Sequence, residues 1–114
     1  MMTNKEILQK ANSHISEGDN IEFLKFCTKH IKWNFVGEQV LEGKKAIEDY
    51  MNKVYVKPPK FTIKTVFGED DFVTALGEIS LYENETWITY DYCDVWRFED
   101  GKMAELHAFV VKKN

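Results

Sequence analysis

Residues 89–102, TYDYCDVWRFEDGK, have the pattern of a β-strand that runs into a tight turn. Successive side chains of a strand point to opposite faces, so Tyr92, Asp94 and Trp96 share one face. This face is the more apolar of the two, and yet it carries a carboxylate. Burying an unpaired charge is costly. Asp94 must therefore be neutralised, hydrogen-bonded or open to a cavity.

Three further strand-like segments surround this one. They cover residues 61–67, 72–82 and 103–111, and the quoted strand itself extends over residues 86–98. The polar connections between them, GEDD, ENE and EDGK, have the length of hairpin loops. The second half of the chain is therefore predicted to be an antiparallel meander.

The first half of the chain begins with two helical patterns. Thr3 and Glu6 have the spacing of a capping box, which precedes an apolar helical stripe that ends at Gly18. Asp19 or Asn20 then caps a shorter helix, whose apolar stripe runs from Ile21 through Cys27. Together they predict a helical hairpin.

A strand and a third helix follow this hairpin. Residues 31–36, IKWNFV, predict a strand that is closed by Gly37, and KKAIEDYMNKV, residues 44–54, predicts an amphipathic helix. The predicted order is α-α-β-α-β-β-β-β over residues 1–114. This order indicates one α+β domain, in which the helices pack on the concave face of a curved, mostly antiparallel sheet and form a cone.

Composition excludes several classes of function. A chain of 114 residues with a formal net charge of -4 and scattered lysines is a single domain that is not expected to bind nucleic acid or membranes. It has no apolar run of spanning length and no signal-peptide pattern, so we expect a cytoplasmic protein. Cys27, on the predicted second helix, and Cys93 lack any metal-ligand spacing. We expect free thiols, no metal site and no cofactor.

The order of elements and two segments carry a resemblance to a known family. WNFVGEQVLEGKKAIEDYM, residues 33–51, and DVWRFEDGKMAELHAFVV, residues 94–111, resemble the NTF2-like superfamily. The branch they resemble holds ketosteroid isomerases and SnoaL-like polyketide cyclases, and the resemblance covers nearly the whole chain. It implies an NTF2-like cone with a pocket for a small molecule.

The resemblance also implies positions for the catalytic residues of ketosteroid isomerases. Their general-base aspartate corresponds to Asn34, which has no titratable group, and their oxyanion-hole tyrosine corresponds to Ala11. Their protonated aspartic acid, which an apolar site keeps neutral, corresponds to Asp94. Because the base is missing, classical ketosteroid isomerase activity is not expected.

The strand pattern predicts the wall of the pocket. Tyr92 and Trp96 flank Asp94 on its face, and Val110 belongs to the apolar parity of the last strand. We expect these residues to contact a ligand, with Asp94 as a hydrogen-bond donor whose pKa is raised by desolvation. The alternative for Asp94 is a structural pair with a tyrosine, an arginine or a backbone amide.

Three further residues, Asn34, Tyr50 and His14, are predicted around this pocket or near it. Asn34 positions a ligand or water, or bonds its own backbone, while Trp33 on the opposite face of that strand is expected to pack. Tyr50 is either a ligand contact or core. His14, one turn after Ala11, lies at the pocket mouth or in solvent.

Three functions are compatible with this pattern. The protein is a cofactor-independent isomerase or cyclase acting on a small apolar carbonyl or phenolic compound, a non-catalytic ligand-binding protein, or a dimeric protein-interaction module. The outer sheet face is half apolar, and no helix remains to cover it. We therefore expect a homodimer through that face.

Overall fold

The structure is a computed structural model that describes residues 2–113. Its helices are α1 (Asn4–Ser16), α2 (Asn20–Leu24) and α3 (Lys44–Val54). Its strands are β1 (Cys27–Phe35), β2 (Gln39–Glu42), β3 (Lys60–Glu69), β4 (Phe72–Glu83), β5 (Thr86–Glu99) and β6 (Lys102–Lys112).

Helix α1 begins with the predicted capping box. The Thr3 hydroxyl accepts a hydrogen bond from the backbone N–H of Glu6, and the Glu6 carboxylate accepts one from the backbone N–H of Thr3. Both bonds satisfy N–H groups that a helix start leaves free. The apolar stripe of α1 then faces the sheet, where its buried residues are Ile7, Leu8, Ala11 and Ile15.

The six strands of the described chain form one sheet in the order β2-β1-β6-β5-β4-β3. Neighbouring strands are antiparallel, except that β1 and β6 run parallel. Strands β3 to β6 form the predicted meander, and the helices pack on the concave side of the curved sheet. The predicted α+β cone is confirmed.

The hairpins of the meander turn within two residues. Asn84 and Glu85 both have positive φ, and so do Asp100 and Gly101. Two consecutive residues with positive φ are typical of the type I′ turn, whose twist matches that of the strands it joins. The turns predicted at ENE and EDGK are therefore confirmed, and their backbone conformation explains why they join twisted strands.

A register shift in β3 contributes to the curvature of the sheet. The pairing of β3 with β4 shifts between Ile63 and Thr65, and Gly77 of β4 lies opposite Ile63. A Cβ atom on Gly77 would lie 2.1 Å from the backbone carbonyl oxygen of Thr62. The close approach requires glycine, and a shift of this kind bends and twists the strand that carries it.

Two details of the predicted order are wrong. Strand β2 was not predicted, because its four residues are mostly exposed and pair with β1 through the backbone. Cys27 lies at the start of β1, beside Met103 of β6, and not on a helix. Helix α2 ends at Leu24, so the apolar residues after it continue as a strand.

The core lies between the helices and the concave face of the sheet. Its largest fully buried side chains come mainly from the three helices and the sheet, and they include Leu8, Phe23, Ile31, Ile47 and Phe98. In the described residues, no helix has the length and apolar character needed to cross a membrane.

Candidate functional site

The inner cavity lies between the helices and the concave face of the sheet. Its volume is about 60 Å³, several times the space that one water molecule requires. It is lined by Asn12, Ile15, Phe23, Trp33, Phe35, Tyr55, Phe61, Ile79, Tyr92, Asp94, Trp96, Leu106, Ala108 and Val110. A mostly apolar wall with a few polar groups is typical of a small-molecule site.

Asp94 lies in the wall of the inner cavity because of small neighbours on two strands. Across the sheet its partners are Ala75 of β4 and Ala108 of β6, both almost completely buried. A larger side chain at either position would compete for the space in front of the carboxyl group. The two alanines thus leave Asp94 room to contact a molecule in the cavity.

The environment of Asp94 changes its acidity. Desolvation raises the pKa of the Asp94 carboxyl group from an ordinary value of 3.8 to about 7, and desolvation is the one cause of the shift. Asp94 is half-buried in a mostly apolar wall, which disfavours the charged form, and no cation among the described residues offsets this effect. Near neutral pH the group therefore exists in comparable amounts as an acid, which donates a hydrogen bond, and as a carboxylate, which accepts a proton.

Two tyrosines share the cavity with Asp94. Burial, followed by the charge of Asp94, raises the pKa of Tyr92 to about 12. Burial also raises the pKa of Tyr55, with smaller contributions from Tyr50 and Asp94. Both hydroxyl groups therefore stay protonated at neutral pH, and they can act as hydrogen-bond donors.

The inner cavity adjoins an outer cleft of about 300 Å³. The residues that line both spaces are Phe35, Tyr55, Ile79 and Val110. The outer cleft also contains Tyr50 and Tyr90, together with Glu38, Gln39, Val54, Leu81 and Glu83. A molecule larger than the inner cavity could thus extend through the shared wall towards the rim of the cone.

The rim of the outer cleft is acidic. The Tyr90 hydroxyl donates a hydrogen bond to the Glu83 carboxylate, and this bond is the main cause that raises the pKa of Tyr90 to about 12. Burial, followed by the charges of Glu38 and Glu83, raises the pKa of Tyr50 to about 12. These carboxylates lie outside the inner cavity, and neither of them contributes to the pKa shift of Asp94.

The structure brings five of the predicted site residues to these two spaces. Tyr92, Asp94, Trp96 and Val110 line the inner cavity, and Tyr50 lines the outer cleft. The pattern of alternating residues placed the strand residues on one face, and the curvature of the sheet brings that face around the cavity. Their roles towards a ligand stay predictions.

Three predicted site residues lie elsewhere. Asn34 points to the outer face of the sheet, beside His107 of β6, because Trp33 and Phe35 take the inward parity of β1. Ala11 is fully buried between α1 and the sheet and does not line the cavity. The residue of α1 that reaches the cavity at this level is its neighbour Asn12.

His14 is also absent from both spaces. Its ring stacks on Phe26 at a centroid distance of 5.7 Å. It follows Asn12 by two positions, which is about 200° around a helix, so the two side chains leave α1 in nearly opposite directions. Within the described residues, Asp94 is consequently the one carboxyl or imidazole group that lines the inner cavity.

Six residues of the inner cavity that carry polar atoms or aromatic rings were not predicted to line it. Trp33 was expected only to pack, and the others are Asn12, Phe23, Phe35, Tyr55 and Phe61. For Trp33 a signal was present, because Ile31, Trp33 and Phe35 form the apolar parity of their strand. Tyr55 directly follows α3, where no periodic pattern predicts the direction of a side chain.

Known proteins support the same architecture. The family model described as a SnoaL-like domain matches residues 8–106, and no curated protein matches the chain significantly. The chain is similar to SalBIII, an epoxide hydrolase/cyclase-like enzyme with a role in pyran ring formation in the polyether salinomycin. The two are 21% identical with a TM-score of 0.87, over 94% of this chain and 89% of that one.

Two further solved structures are similar. A candidate SnoaL-like polyketide cyclase from Jannaschia sp. CCS1 is 13% identical with a TM-score of 0.80, over 94% of this chain and 84% of that one. An NTF2-like protein of unknown function from Cytophaga hutchinsonii is 22% identical with a TM-score of 0.77, over 96% and 100%. At these identities the likeness shows the NTF2-like fold.

Proposed function

Because the chain belongs to the SnoaL-like domain family of the NTF2-like superfamily, we propose that its inner cavity binds a small, mostly apolar carbonyl or phenolic compound. In its protonated form Asp94 donates a hydrogen bond to the oxygen of this compound, and in its ionised form it takes a proton from the carbon next to the carbonyl. The protein then acts as a cofactor-independent cyclase or isomerase, in which Asp94 transfers the proton. The similarity to an epoxide hydrolase/cyclase-like enzyme and to a candidate polyketide cyclase supports this class of reaction.

One observation carries the proposal. Asp94 lies in an apolar cavity, and desolvation raises the pKa of its carboxyl group to about 7. A catalytic acid or base is most effective when its pKa lies near the working pH. A carboxyl group that served only as structure would be expected to have a partner that compensates its burial.

A single carboxyl group is sufficient for ring closure. The Asp94 carboxylate takes a proton from the carbon next to the ligand carbonyl, and the electrons of the broken C–H bond form an enolate. The enolate carbon attacks a second carbonyl of the same molecule, and the resulting alkoxide takes the proton back from Asp94. In an isomerisation, the proton returns to a different carbon. A positioned acid–base group typically contributes about 10²–10⁴-fold to the rate.

A non-catalytic ligand-binding protein is the second candidate. The observation that favours it is the lack of another carboxyl or imidazole group in the inner cavity within the described residues. His14, the imidazole predicted at the pocket mouth or in solvent, and Asn34, predicted to position a ligand or water, both lie outside it. In this case Asp94 holds the ligand oxygen and no bond is broken.

The experiment uses deuterium exchange at C1 of 2-tetralone, a small aromatic ketone, followed by proton NMR in D₂O. We expect the wild-type protein to exceed the buffer rate, and the rate to rise with pH and level off above about 7, because the carboxylate is the active form. Asp94→Asn is expected to abolish the exchange. Asp100→Asn, in the exposed turn after β5, makes the same charge change and should retain it.

A binding measurement separates the two candidates. Saturable quenching of tryptophan fluorescence by 2-tetralone without exchange supports the ligand-binding protein. Ala108→Leu should remove both binding and exchange, because the larger side chain occupies the space beside Asp94. If the wild-type protein neither binds nor exchanges such ketones, both candidates fail and the interaction module is left.

We further propose that the outer face of the sheet is buried in a homodimer. Leu76, Cys93 and Phe109 form a row across β4, β5 and β6 on this face. Phe109 and its neighbour on the same face, Val111, are 45% and 66% exposed. Contiguous exposed apolar surface marks an interaction site, and an isologous dimer covers it with the same surface. The predicted cytoplasmic location agrees with the two free cysteines.

A further inference from the structure

Two hydrogen-bonding groups in the wall of the inner cavity have no partner within the described residues. They are the indole Nε1–H of Trp33 and the hydroxyl of Tyr92. Trp33 is 3% exposed and Tyr92 is 6% exposed, so bulk water does not reach either group. Folded proteins leave few buried polar atoms unpaired, because each loses its bonds to water without replacement. These two groups therefore need an explanation.

The surroundings of Trp33 offer no acceptor for its indole N–H within the described residues. The ring packs edge-on against Phe23, Phe35, Tyr50 and Trp96, with centroid distances of 5.8 to 6.2 Å. This arrangement holds the indole in one orientation. An indole nitrogen can only donate, so the group requires an acceptor from outside the protein.

Tyr92 is held in a similar way. Its ring packs edge-on against Phe61 at 6.4 Å. On β4 its cross-strand partner is Gly77, and on β6 it is Val110, and neither side chain offers a polar atom. Its hydroxyl stays protonated at neutral pH because burial raises the pKa of Tyr92 to about 12. It is thus a second fixed donor.

The two donors lie on opposite sides of Asp94. Trp33, Leu106 and Trp96 lie side by side across β1, β6 and β5. This row meets β5 two residues after Asp94. Tyr92 lies on the other side of Asp94, two residues before it on β5. Rows on the same face are about 7 Å apart. A molecule bound beside Asp94 is therefore flanked by the two residues that carry these donors.

We propose that Trp33 and Tyr92 are specificity-determining hydrogen-bond donors, and that the cavity takes ligands that carry at least two acceptor oxygens on opposite sides of a small ring. This inference rests on the proposed function, because it assumes that the inner cavity is the ligand site. One oxygen accepts from Asp94, and the second accepts from Tyr92 or Trp33. A ligand without the second oxygen leaves a buried donor unpaired, and sites built to bond a substrate oxygen reject such analogues strongly.

The experiment compares cyclohexanone with cyclohexane-1,4-dione, which differ by one carbonyl oxygen on the opposite side of the ring. We expect the dione to bind wild-type protein about tenfold more tightly, the difference that one well-placed hydrogen bond makes. Titrations followed by ¹H–¹⁵N NMR also show the indole N–H signals of Trp33, Trp87 and Trp96, and Trp33→Phe assigns the first. The Trp33 signal should move downfield with the dione and much less with cyclohexanone.

Tyr92→Phe removes only the hydroxyl group and keeps the ring. We expect this variant to lose most of the preference for the dione. We also expect its Tm without ligand to rise by about 4 °C, because an unpaired buried group is removed. The matched control is Tyr90→Phe, since the hydroxyl of Tyr90 is bonded to Glu83 in the outer cleft. This variant should keep the preference and should not gain Tm.

Each possible result decides the question. Equal affinities for the two ketones in wild-type protein, with an unchanged Trp33 signal, overturn the inference and leave the proposed function standing. A Tm of Tyr92→Phe that falls as in Tyr90→Phe also overturns it, because the hydroxyl is then satisfied without ligand by water. If neither ketone binds, the proposed function fails and the inference fails with it.

Discussion

Replacing Asp94 by asparagine should change how the stability of the protein depends on pH. In the folded protein, desolvation raises the pKa of Asp94 from 3.8 to about 7, whereas the unfolded chain has a value near 3.9. Between these two values the folded protein holds a proton that the unfolded chain releases. The free energy of unfolding therefore falls as pH rises through this window, and it levels off above about 7.

The magnitude follows from the size of the shift. At 1.36 kcal/mol per pKa unit, a shift of about three units lowers the free energy of unfolding by about 4 kcal/mol in total. This is the difference between pH values well below about 3.9 and pH values well above about 7. Over the experimentally convenient range from about pH 5 to about pH 8, the expected loss is about 2.5 kcal/mol. An asparagine side chain is not ionisable, so the Asp94→Asn variant should lack this part of the pH dependence.

Urea unfolding followed by tryptophan fluorescence measures the effect. The quantity to compare is the difference in unfolding free energy between Asp94→Asn and wild type, at one protein concentration, because dimerisation also contributes. Other groups titrate equally in both proteins and cancel, including Glu6 and Glu78, whose pKa values are lowered by hydrogen bonds. The difference should shift in favour of the variant by about 2.5 kcal/mol between about pH 5 and about pH 8.

The control makes the same charge change away from the cavity and from the outer face of the sheet. Asp100→Asn, in the exposed turn after β5, should leave the pH dependence that Asp94 causes intact. If the free energies of unfolding of wild type and Asp94→Asn change with pH in parallel, the carboxyl group of Asp94 is solvated or paired in the folded protein. The proposed role in proton transfer would then lose its physical basis.

Three further substitutions test the fold and the dimer. Gly77→Ala should lower the free energy of unfolding by at least about 2 kcal/mol in urea titrations, because the new Cβ meets the carbonyl oxygen of Thr62; an unchanged value would contradict the tight approach. Thr3→Ala should cost about 1 kcal/mol in the same assay, since one bond of the capping box is lost. Phe109→Glu should convert a dimer to a monomer in analytical ultracentrifugation, whereas Ile21→Glu, at an exposed position of α2, should not; a monomeric wild-type protein would refute the proposed interface.

Elements with local signals could be predicted from the sequence. The capping box at Thr3 defines the start of α1, and the turn at Asp100 and Gly101 joins β5 to β6, as expected. Strand β2 and the first residues of β1 could not be predicted in this way. Both are strands because their backbone groups pair with neighbouring strands, and Cys27 fits a helical stripe as well as a strand.

The sequence by itself determined which residues share a face of β5 and β6, and so it grouped Tyr92, Asp94 and Trp96 from strand alternation alone. It also contained a signal for the buried face of β1, because Ile31, Trp33 and Phe35 form the apolar parity of that strand, but this signal did not show that the face meets the cavity. The pairing of β1 with β6 placed Trp33 in the cavity wall and Asn34 on the outer face. The acidity of Asp94 was likewise decided by tertiary structure, since desolvation depends on atoms that distant segments bring around the carboxyl group.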